Sequence, residues 1–280
     1  MEDKKVSIIM GVYNCEETLK ESIESIINQT YGNWELIICD DYSRDNTYEI
    51  AKEYQKQYFD KIKVIKNEKN LKLAATLNHC LKYVTGEYIA RMDGDDISLP
   101  TRLEKQVEFL NKHEEYQVVG GAIIPFDENG EKGIRKCVAI PDKYHLIKNS
   151  PFAHPTIMMR KGAYAKLQGY RVSKEITRCE DIDLWFRFYA EGFKGYNLQI
   201  PVLKYRESIK DYGKRKIRYS FDTVSVCYRG YRLLNYPKKY YIFLLKPIIC
   251  SSIPKRLMKT YHNLRDKNNK LNRENGIENK

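Results

Sequence analysis

The sequence has few of the features that mark secreted, disulfide-stabilised or membrane-spanning proteins. Its 280 residues include seven cysteines, an odd number, and no two of them form a Cys-x-x-Cys pair. No apolar stretch follows Met1, so we expect no secretory signal. The longest apolar run, residues 240–253, contains Lys246 and Pro247 and is too short to cross a bilayer. These absences indicate a cytoplasmic protein, soluble or peripheral on a membrane.

Acidic residues are scarce in the C-terminal part of the chain, which therefore carries the whole of the net charge of +12. Residues 201–280 hold 20 lysines and arginines but 6 acidic residues, and the first 200 residues have a net charge of −2. The first 200 residues therefore lack the positive charge of a nucleic-acid-binding surface, and we expect no nucleic-acid partner. This uneven distribution of charge indicates a separate attachment function for the C-terminal segment.

The first 92 residues alternate between short apolar runs and amphipathic segments. The spacing predicts strands over residues 6–10, 34–39, 62–65 and 87–92, and helices over residues 18–29, 47–58 and 73–84. Strands that alternate with helices form a mostly parallel sheet flanked by helices, so the predicted fold class is α/β. With 42% hydrophobic residues, the chain can bury one substantial core, in one or two lobes.

Polar groups follow three of the predicted strands at the point where each strand ends. They are Tyr13-Asn14, Asp40-Asp41 and Asp93-Gly94-Asp95-Asp96. In a parallel sheet, ligands bind beyond the carboxyl ends of the strands. We therefore expect these three groups to form one site.

The carboxylates of Asp93, Asp95 and Asp96 repel one another unless a cation or a hydrogen-bond network holds them. Oxygen ligands with no histidine or cysteine alongside suit Mg²⁺ or Mn²⁺, and Mg²⁺ usually completes its shell with substrate phosphates. The alternative interpretation is a solvated Asp-Gly turn between two elements. The expected position of these carboxylates at the edge of the sheet favours the cation site.

Residues 97–205 have a mixed pattern. It predicts helices over residues 102–113 and 182–191, short strands over 118–124 and 156–159, and a hairpin turn at 127–130. From Lys204 onward the chain is basic, rich in tyrosine and compatible with helix. Residues 268–280 are polar, and we expect them to be disordered.

Six segments together resemble glycosyltransferase family 2, whose members have the GT-A fold. They are residues 6–14, 25–31, 35–47, 86–96, 154–156 and 180–185. Within the family, the chain is most similar to bacterial exopolysaccharide and capsule transferases of the EpsE type. The resemblance implies a glycosyltransferase domain over residues 1–205, with a nucleotide-sugar donor half (1–96) and an acceptor half (97–205). A basic helical extension (206–267) and the disordered tail follow.

The resemblance also implies a role for each residue of the donor half. Asp41 matches the acid that contacts uracil, and Tyr13 matches the ring that packs near the base. Asn14, Asp40 and Lys72 complete the donor-binding set. Capping of the next helix is the alternative role for Asp40 and Asp41. Many family members have glycine where this chain has Lys72, so this lysine reshapes the pocket or contacts phosphate.

Asp93 and Asp95 match the family's DxD motif. Asp95 is the expected direct ligand of Mn²⁺ or Mg²⁺, and Asp93 is expected to contact the ribose or a metal-bound water. The cation offsets charge on the departing diphosphate. Asp96 either contacts the metal or caps the following helix.

In the acceptor half, Asp181 matches the catalytic base that takes the acceptor hydroxyl proton. A single displacement with no protein nucleophile implies an inverting enzyme. Glu180 and His154 are expected on the acceptor side, and Asp183 is the alternative base. A pair of acids favoured by the helix dipole is the structural alternative for Glu180 and Asp181. His79 is expected to be structural.

Basic and aromatic residues are interspersed after residue 204. The basic groups are Lys214-Arg215-Lys216, Arg229, Arg232, Lys238-Lys239, Lys255-Arg256 and Lys259. Such a mixture suits the anionic inner face of the cell membrane. The alternatives are a helical subdomain packed on the core or, less favoured by the composition, an RNA-binding segment.

The expected reaction moves one sugar from a UDP-sugar to a lipid-linked saccharide acceptor, expected to be polyprenyl-diphosphate-linked, in exopolysaccharide, capsule or biofilm-matrix synthesis. A nucleotidyltransferase would need a glycine-rich, arginine-containing loop in place of residues 11–14, and the sequence has no such loop there. A processive synthase would need a QxxRW motif and several membrane spans, and the sequence shows neither of these. The alternative is a protein of transferase fold that binds a protein partner of a polysaccharide-assembly complex at the membrane.

Overall fold

A computed structural model describes residues 3–207 and 217–252. Within them, the chain has an α/β fold built on one sheet of nine strands. The strands are β1 (Val6–Val12), β2 (Trp34–Asp40), β3 (Ile62–Lys66), β4 (Tyr88–Asp93), β5 (Ile97–Ser98), β6 (Val118–Asp127), β7 (Gly130–Glu131), β8 (Met158–Arg160) and β9 (Gly195–Arg206). The helices are α1 (Leu19–Ile27), α2 (Thr47–Gln57), α3 (Leu73–Leu81), α4 (Arg102–Lys112), α5 (Lys161–Lys166), α6 (Glu180–Ala190), α7 (Ile217–Leu233) and α8 (Lys246–Ser252). Short 3-10 helices span Lys143–Ile147, His154–Thr156 and Lys238–Leu245.

The strands follow the order β3-β2-β1-β4-β8-β6-β9-β5, with β7 paired to β6. β1 to β4 are mutually parallel, and β6 runs parallel to β9. β8 is antiparallel to both β4 and β6, and β5 is antiparallel to β9. Most paired residues therefore lie in parallel ladders, and the predicted fold class is confirmed. The four strands predicted in the first 92 residues are present, each within two residues of its predicted ends.

Alternate residues of the central strands enter two cores on opposite faces of the sheet. In β1, Ile8 and Met10 pack into the core that α1, α2 and α4 cover, whereas Ile9 packs into the core that α3 and α6 cover. Successive side chains of a strand point to opposite faces, so a strand buried on both sides is apolar at nearly every position. For this reason the central strands could be predicted from apolar runs in the sequence.

The expectation of helix from Lys204 onward is wrong for Lys204–Arg206, which form the end of β9. Lys204 pairs with Ile97 of β5 and with Ile124 of β6, so partners distant in the sequence impose the strand. A predicted strand over residues 156–159 also begins later, at Met158, because Pro155 lies in the preceding 3-10 helix. The hairpin at residues 127–130 is confirmed by the β6–β7 pairing.

The described part of the C-terminal extension packs on α6. Tyr231, Leu234 and Tyr236 are buried in the same core as Trp185 and Phe186. At Gly230, a Cβ atom would lie 2.2 Å from the ring of Phe186, so the two helices approach closely at a position that only glycine fits.

The expected disordered tail and the basic groups Lys214-Arg215-Lys216, Lys255-Arg256 and Lys259 lie outside the described residues. Among residues 3–207 and 217–252, no helix is both long enough and apolar enough to cross a membrane.

Candidate active site

The predicted polar groups meet at the edge where β1, β2 and β4 end. Val12 pairs with Asp40, and Gly11 pairs with Asp93, so the loops that follow these strands leave the sheet side by side. Adjacent loops at the carboxyl edge of a parallel sheet are the usual position of a ligand site. The prediction that the three polar segments lie together at one edge of the sheet is confirmed.

The acidic turn after β4 holds three carboxylates together. Oxygen atoms of Asp93, Asp95 and Asp96 all lie within 4.8 Å of one another. Asp93 and Asp95 are half-buried and Asp96 is buried. Between them, Gly94 leaves no room for a side chain, since a Cβ atom there would lie 2.7 Å from Val12. The turn is therefore fixed against β1.

Asp96 is the most deeply buried of the three acids. Its Oδ1 accepts a 3.0 Å hydrogen bond from the backbone N–H of Arg206, whereas its Oδ2 has no hydrogen-bond partner. Burial, and then the charges of Asp93 and Asp95, raise the pKa of Asp96 to about 8. The helix-capping alternative is not seen, because Thr101 precedes α4. A buried carboxylate oxygen without a partner, beside two further carboxylates, fits a divalent cation.

Arg91 lies beneath this turn at the end of β4. Its guanidinium donates to Asp93 Oδ1 at 2.5 Å, and only 5% of the residue is exposed. Burial lowers the pKa of Arg91, but the negative charges around it, of which Asp93 contributes most, together outweigh burial and raise this pKa. Sequence reasoning missed this residue, although a basic side chain inside a buried apolar strand was a usable signal.

Asp41 is almost fully buried and accepts hydrogen bonds from a loop that precedes α3. Its Oδ1 accepts from the backbone N–H of Leu71 at 2.7 Å and from Asn67 Nδ2 at 2.8 Å, and its Oδ2 accepts from the backbone N–H of Lys72 at 2.9 Å. Asp40 instead accepts from the backbone N–H of Ser43. Both acids thus hold loops around the site, and neither caps α2.

Lys72 has an unusual backbone conformation, with φ 71° and ψ 165°. This region favours glycine, so a lysine here is strained by ~1–3 kcal/mol. The expectation that a small residue suits this position therefore has a physical basis: the turn directs the backbone N–H of Lys72 toward Asp41.

Tyr13 and Asn14 follow β1 on the same side of the site. Asn14 joins the loops after β1 and β2, since its backbone N–H donates to Ser43 Oγ and its Oδ1 accepts from the backbone N–H of Arg44, each at 3.0 Å. Tyr13 is 43% exposed, and its large surface is therefore available for stacking.

A cavity of about 430 Å³ connects the acidic turn with the start of α6. Asp93 and Arg91 line it on one side, and His154, Glu180 and Asp181 line it on the other. The structure therefore brings Asp93 together with all three residues predicted for catalysis and acceptor binding. Tyr205 of β9, which the sequence did not single out, also lines this cavity.

The two acids at the start of α6 differ from ordinary surface carboxylates. Burial raises the pKa of Asp181, although Arg91 and the 2.8 Å hydrogen bond from the backbone N–H of Ile182 oppose the rise. Burial and the charge of Asp181 raise the pKa of Glu180. A carboxylate in a cleft whose pKa is raised toward neutrality is suited to accept a proton.

His154 lies in the wall of the cavity, with its Nε2 3.0 Å from the hydroxyl of Tyr170. Its Nδ1 has no partner, and burial, followed by the charge of Arg91, holds the pKa of His154 well below its usual value. A neutral imidazole with one nitrogen available can donate or accept one hydrogen bond from a bound molecule.

Two further titratable residues have structural contacts. Asp183, the alternative base, pairs with Arg171 at 3.1 Å and with Arg187 at 2.8 Å. The described lining of the 430 Å³ cavity does not include it. His79 lies 2.8 Å from Asn67 Oδ1, which agrees with the structural role expected for it.

The model of the family "Glycosyl transferase family 2" matches residues 7–168, more than half of the chain. The chain belongs to glycosyltransferase family 2. This family-2 protein is 52% identical over 266 residues to the glycosyltransferase EpsE of Bacillus subtilis (strain 168), covering 95% of this chain and 96% of EpsE. The comparison confirms the resemblance expected from the motifs.

Two other similarities bear on the family-2 chain. It is 32% identical over 248 residues to the Escherichia coli protein WfgD, a UDP-Glc:alpha-D-GlcNAc-diphosphoundecaprenol beta-1,3-glucosyltransferase, covering 84% of this chain and 93% of WfgD. The crystal structure of S. aureus TarS 1–349 in complex with UDP matches 87% of this chain and 69% of that one, with a TM-score of 0.65 and 20% identity. At that identity the structural likeness supports the fold alone.

Proposed function

We propose that this family-2 enzyme transfers one sugar from a UDP-sugar to a polyprenyl-diphosphate-linked acceptor, with inversion, during synthesis of an exopolysaccharide or capsule. The observation that carries the proposal is that Asp93 of the acidic turn and Asp181 of α6 line one cavity of about 430 Å³. A donor at the turn and an acceptor near α6 would meet there. The likeness to WfgD, whose name gives a UDP-glucose donor and a diphosphoundecaprenol acceptor, supports the substrate classes.

The donor's uracil is assigned to Asp41 and Tyr13. An ionised carboxylate offers about four acceptor sites. Three N–H groups already donate to Asp41, from Leu71, Asn67 and Lys72, which leaves one site for the imide N–H of uracil. The exposed ring of Tyr13 is available to stack on the base.

Three further residues support donor binding. Asn14 and Asp40 hold the loops after β1 and β2 through their bonds to the backbone N–H groups of Arg44 and Ser43. Lys72 lies at the start of α3, where its ammonium group can approach the donor phosphates.

The acidic turn fits a divalent cation, and we assign Mn²⁺ or Mg²⁺ to Asp95 and Asp93. Asp96 is assigned a supporting position, since its Oδ2 has no hydrogen-bond partner. When bound, the cation stabilises the negative charge that develops on the leaving diphosphate. Arg91 holds the Asp93 carboxylate in place through its 2.5 Å ion pair.

Asp181 is assigned as the general base. It would take the proton of the acceptor hydroxyl as that oxygen attacks the anomeric carbon, and the bond to the diphosphate breaks on the opposite side. One such displacement inverts the configuration. The raised pKa of Asp181 and its place in the cavity wall support this role. His154 Nδ1 and Glu180 are positioned to contact the acceptor sugar.

The described C-terminal surface suits the cytoplasmic face of a membrane. Lys238, Lys239 and Lys246 are exposed beside Ile242 and Ile249, which are 63% and 59% exposed. Lysines attract anionic headgroups, and exposed apolar side chains enter the interface. A lipid-linked acceptor would be met at that surface.

Measurement of UDP release across a panel of UDP-sugars, with Mn²⁺ or Mg²⁺ and lipid-diphosphate-sugar acceptors, tests the proposal. We expect Asp95→Ala to reduce turnover by about 100-fold or more because the leaving charge loses its stabilisation. We expect Asp181→Asn to reduce it by roughly 100- to 10,000-fold because the base is lost.

Asp60→Asn, at an exposed position just beyond α2, is the matched control and should retain wild-type turnover. Absence of turnover in the wild type with every donor and acceptor would overturn the proposal. Full turnover in Asp181→Asn would overturn the assignment of the base alone.

A further inference from the structure

A second, larger cavity lies beside the first. It has a volume of about 650 Å³ and is bounded by residues 171–178, by the start of α3 and by Tyr219 of α7. Arg178 and Glu180 line both cavities, so the two are adjacent. A volume of this size can hold a substantial part of a ligand.

The second cavity is strongly basic. Among the described residues, Lys72, Arg171, Lys174 and Arg178 line it, with Glu180 as the one acidic residue. Arg171 pairs with Asp183, and Arg178 lies 4.5 Å from the centre of the Tyr219 ring. The contacts with Asp183 and Tyr219 orient the two guanidinium groups at the cavity.

Four cations line this cavity against Glu180 and the Asp183 carboxylate that pairs with Arg171, so the net charge is positive and fits a multiply charged anion. Guanidinium groups bind phosphate through two parallel hydrogen bonds, and lysine adds a point charge. Apolar side chains of Leu73, Val172 and Ile176 also line the cavity. The combination suits a diphosphate that carries an apolar chain more than a free, fully hydrated ion.

The donor diphosphate is assigned to a different place. The described lining of the second cavity includes none of Asp93, Asp95 and Asp96, which form the cation site proposed above. The reaction proposed above has a second diphosphate, the one that links the acceptor sugar to its lipid. With its sugar in the first cavity near Asp181, the acceptor would place this group next to Arg178.

We propose that the cavity lined by Arg171, Lys174 and Arg178 binds the diphosphate of the lipid-linked acceptor. The inference rests on the proposed function and adds the site that recognises the acceptor. Lys72 also lines this cavity but is assigned to the donor phosphates, so the acceptor diphosphate is assigned to the three cations of the segment before α6. The reacting sugar is therefore the one attached directly to the diphosphate.

Calorimetric titration with farnesyl diphosphate tests the site without any turnover. The full-length protein should bind this probe, and Lys174→Gln/Arg178→Gln should bind it about tenfold or more weakly, because each lost cation removes a charge-assisted contact. Farnesyl monophosphate should bind more weakly than the diphosphate. Lys56→Gln, at an exposed position of α2, is the matched control and should bind like the wild type.

Saturating UDP with Mn²⁺ distinguishes the two sources of diphosphate. We expect farnesyl diphosphate to bind with unchanged affinity when UDP is present, since the donor occupies the acidic turn. Competitive displacement by UDP would show that this cavity holds the donor and would overturn the proposal. Equal binding by wild type and Lys174→Gln/Arg178→Gln would also overturn it.

Steady-state kinetics distinguish a failure of this proposal from a failure of the proposed function. In an enzyme that transfers sugar, the double variant should raise KM for the diphosphate acceptor about tenfold and leave KM for the UDP-sugar within about twofold. An equal loss with an alkyl-linked acceptor sugar that lacks the diphosphate would indicate a structural role and contradict the proposal. Absence of transfer by the wild type, with intact probe binding, would overturn the proposed function and retain the site.

Discussion

The backbone N–H of Arg206 donates a 3.0 Å hydrogen bond to Oδ1 of Asp96, and this bond joins the end of β9 to the acidic turn after β4. The Arg206 side chain adds a 2.8 Å bond from Nε to the backbone oxygen of Asp95 and an ion pair with Glu21. The acidic turn is therefore held from two strands that lie far apart in the sequence. Two hydrogen bonds from Arg206, one to Asp96 and one to Asp95, make it a positioning residue for these two acids.

Replacement of Arg206 tests this positioning. Arg206→Ala keeps the backbone bond to Asp96 but loses the contact with Asp95, so we expect about tenfold weaker activation by Mn²⁺. Glu21→Gln is the control, because it weakens only the exposed ion pair and should change activation by less than about threefold. Titration of activity against Mn²⁺ concentration measures both effects. Identical Mn²⁺ titrations for wild type and Arg206→Ala would contradict the role.

Asp96 should make the metal-free protein less stable as the pH rises. Burial and two neighbouring carboxylates raise its pKa to about 8 in the folded state, against 3.8 as its ordinary value. Between these values the folded state retains a proton that the unfolded state has lost, so the stability contributed by this group falls with rising pH, by at most about 1.4 kcal/mol per unit.

Urea unfolding of wild type and Asp96→Asn in the presence of a chelator, from pH 5 to pH 8, measures this dependence. The asparagine does not titrate, so the stability of the variant relative to wild type should increase with pH. Parallel stability curves would show that Asp96 does not carry the proton.

The first half of the site could be predicted because its signals are local. Asp40 and Asp41 follow the apolar run of β2, and Asp93 and Asp95 follow the run of β4, which is apolar except for Arg91. The parallel arrangement alone brings such strand ends to one edge. The clustering of three carboxylates in one turn followed from the kinds of residue in four consecutive positions. No tertiary information was needed for either step.

The contributions of Tyr205 and Arg206 could not be predicted in the same way. β9 contains Pro201, and its pairing with β6 shifts register around Ala122, so residues 195–206 lack a clean alternation. Its strand conformation depends on β5 and β6, which lie about 80 to 110 residues earlier in the chain. Arg91, by contrast, could have been predicted, because it lies two residues before Asp93 in β4 and alternate residues of a strand share a face.

Replacement of Lys72 by glycine should raise the stability of the protein but weaken its binding of the donor. Its φ of 71° and ψ of 165° suit glycine, so Lys72→Gly should relieve strain and raise the free energy of unfolding by about 1 kcal/mol. The same change removes the ammonium group proposed to contact the donor phosphates, so KM for the UDP-sugar should rise about tenfold.

Lys72→Ala separates these two effects. Alanine lacks the ammonium group but keeps a Cβ atom in the strained conformation, so it should raise KM without raising stability. Thermal unfolding and donor kinetics on both variants measure the difference. Equal stability of the glycine and alanine variants would show that the turn carries no strain, and an unchanged KM in both would contradict the phosphate contact.

Exposed lysines after α7 should govern membrane association. Lys238 and Lys239 are exposed beside Ile242 and Leu245, which are 63% and 49% exposed. Each lysine near an anionic surface contributes ~1 kcal/mol, so Lys238→Glu/Lys239→Glu should reduce binding to anionic vesicles by roughly 25-fold or more. Flotation of the full-length protein with vesicles of phosphatidylglycerol and phosphatidylcholine measures this.

The double variant Lys20→Glu/Lys112→Glu is the control, because it makes the same change in net charge at exposed positions of α1 and α4. It should retain binding, because these lysines lie on helices that flank the sheet rather than in the segment after α7. A comparable loss in both double variants would mean that net charge alone attracts the protein, and undiminished flotation of Lys238→Glu/Lys239→Glu would exclude these lysines from the membrane contact.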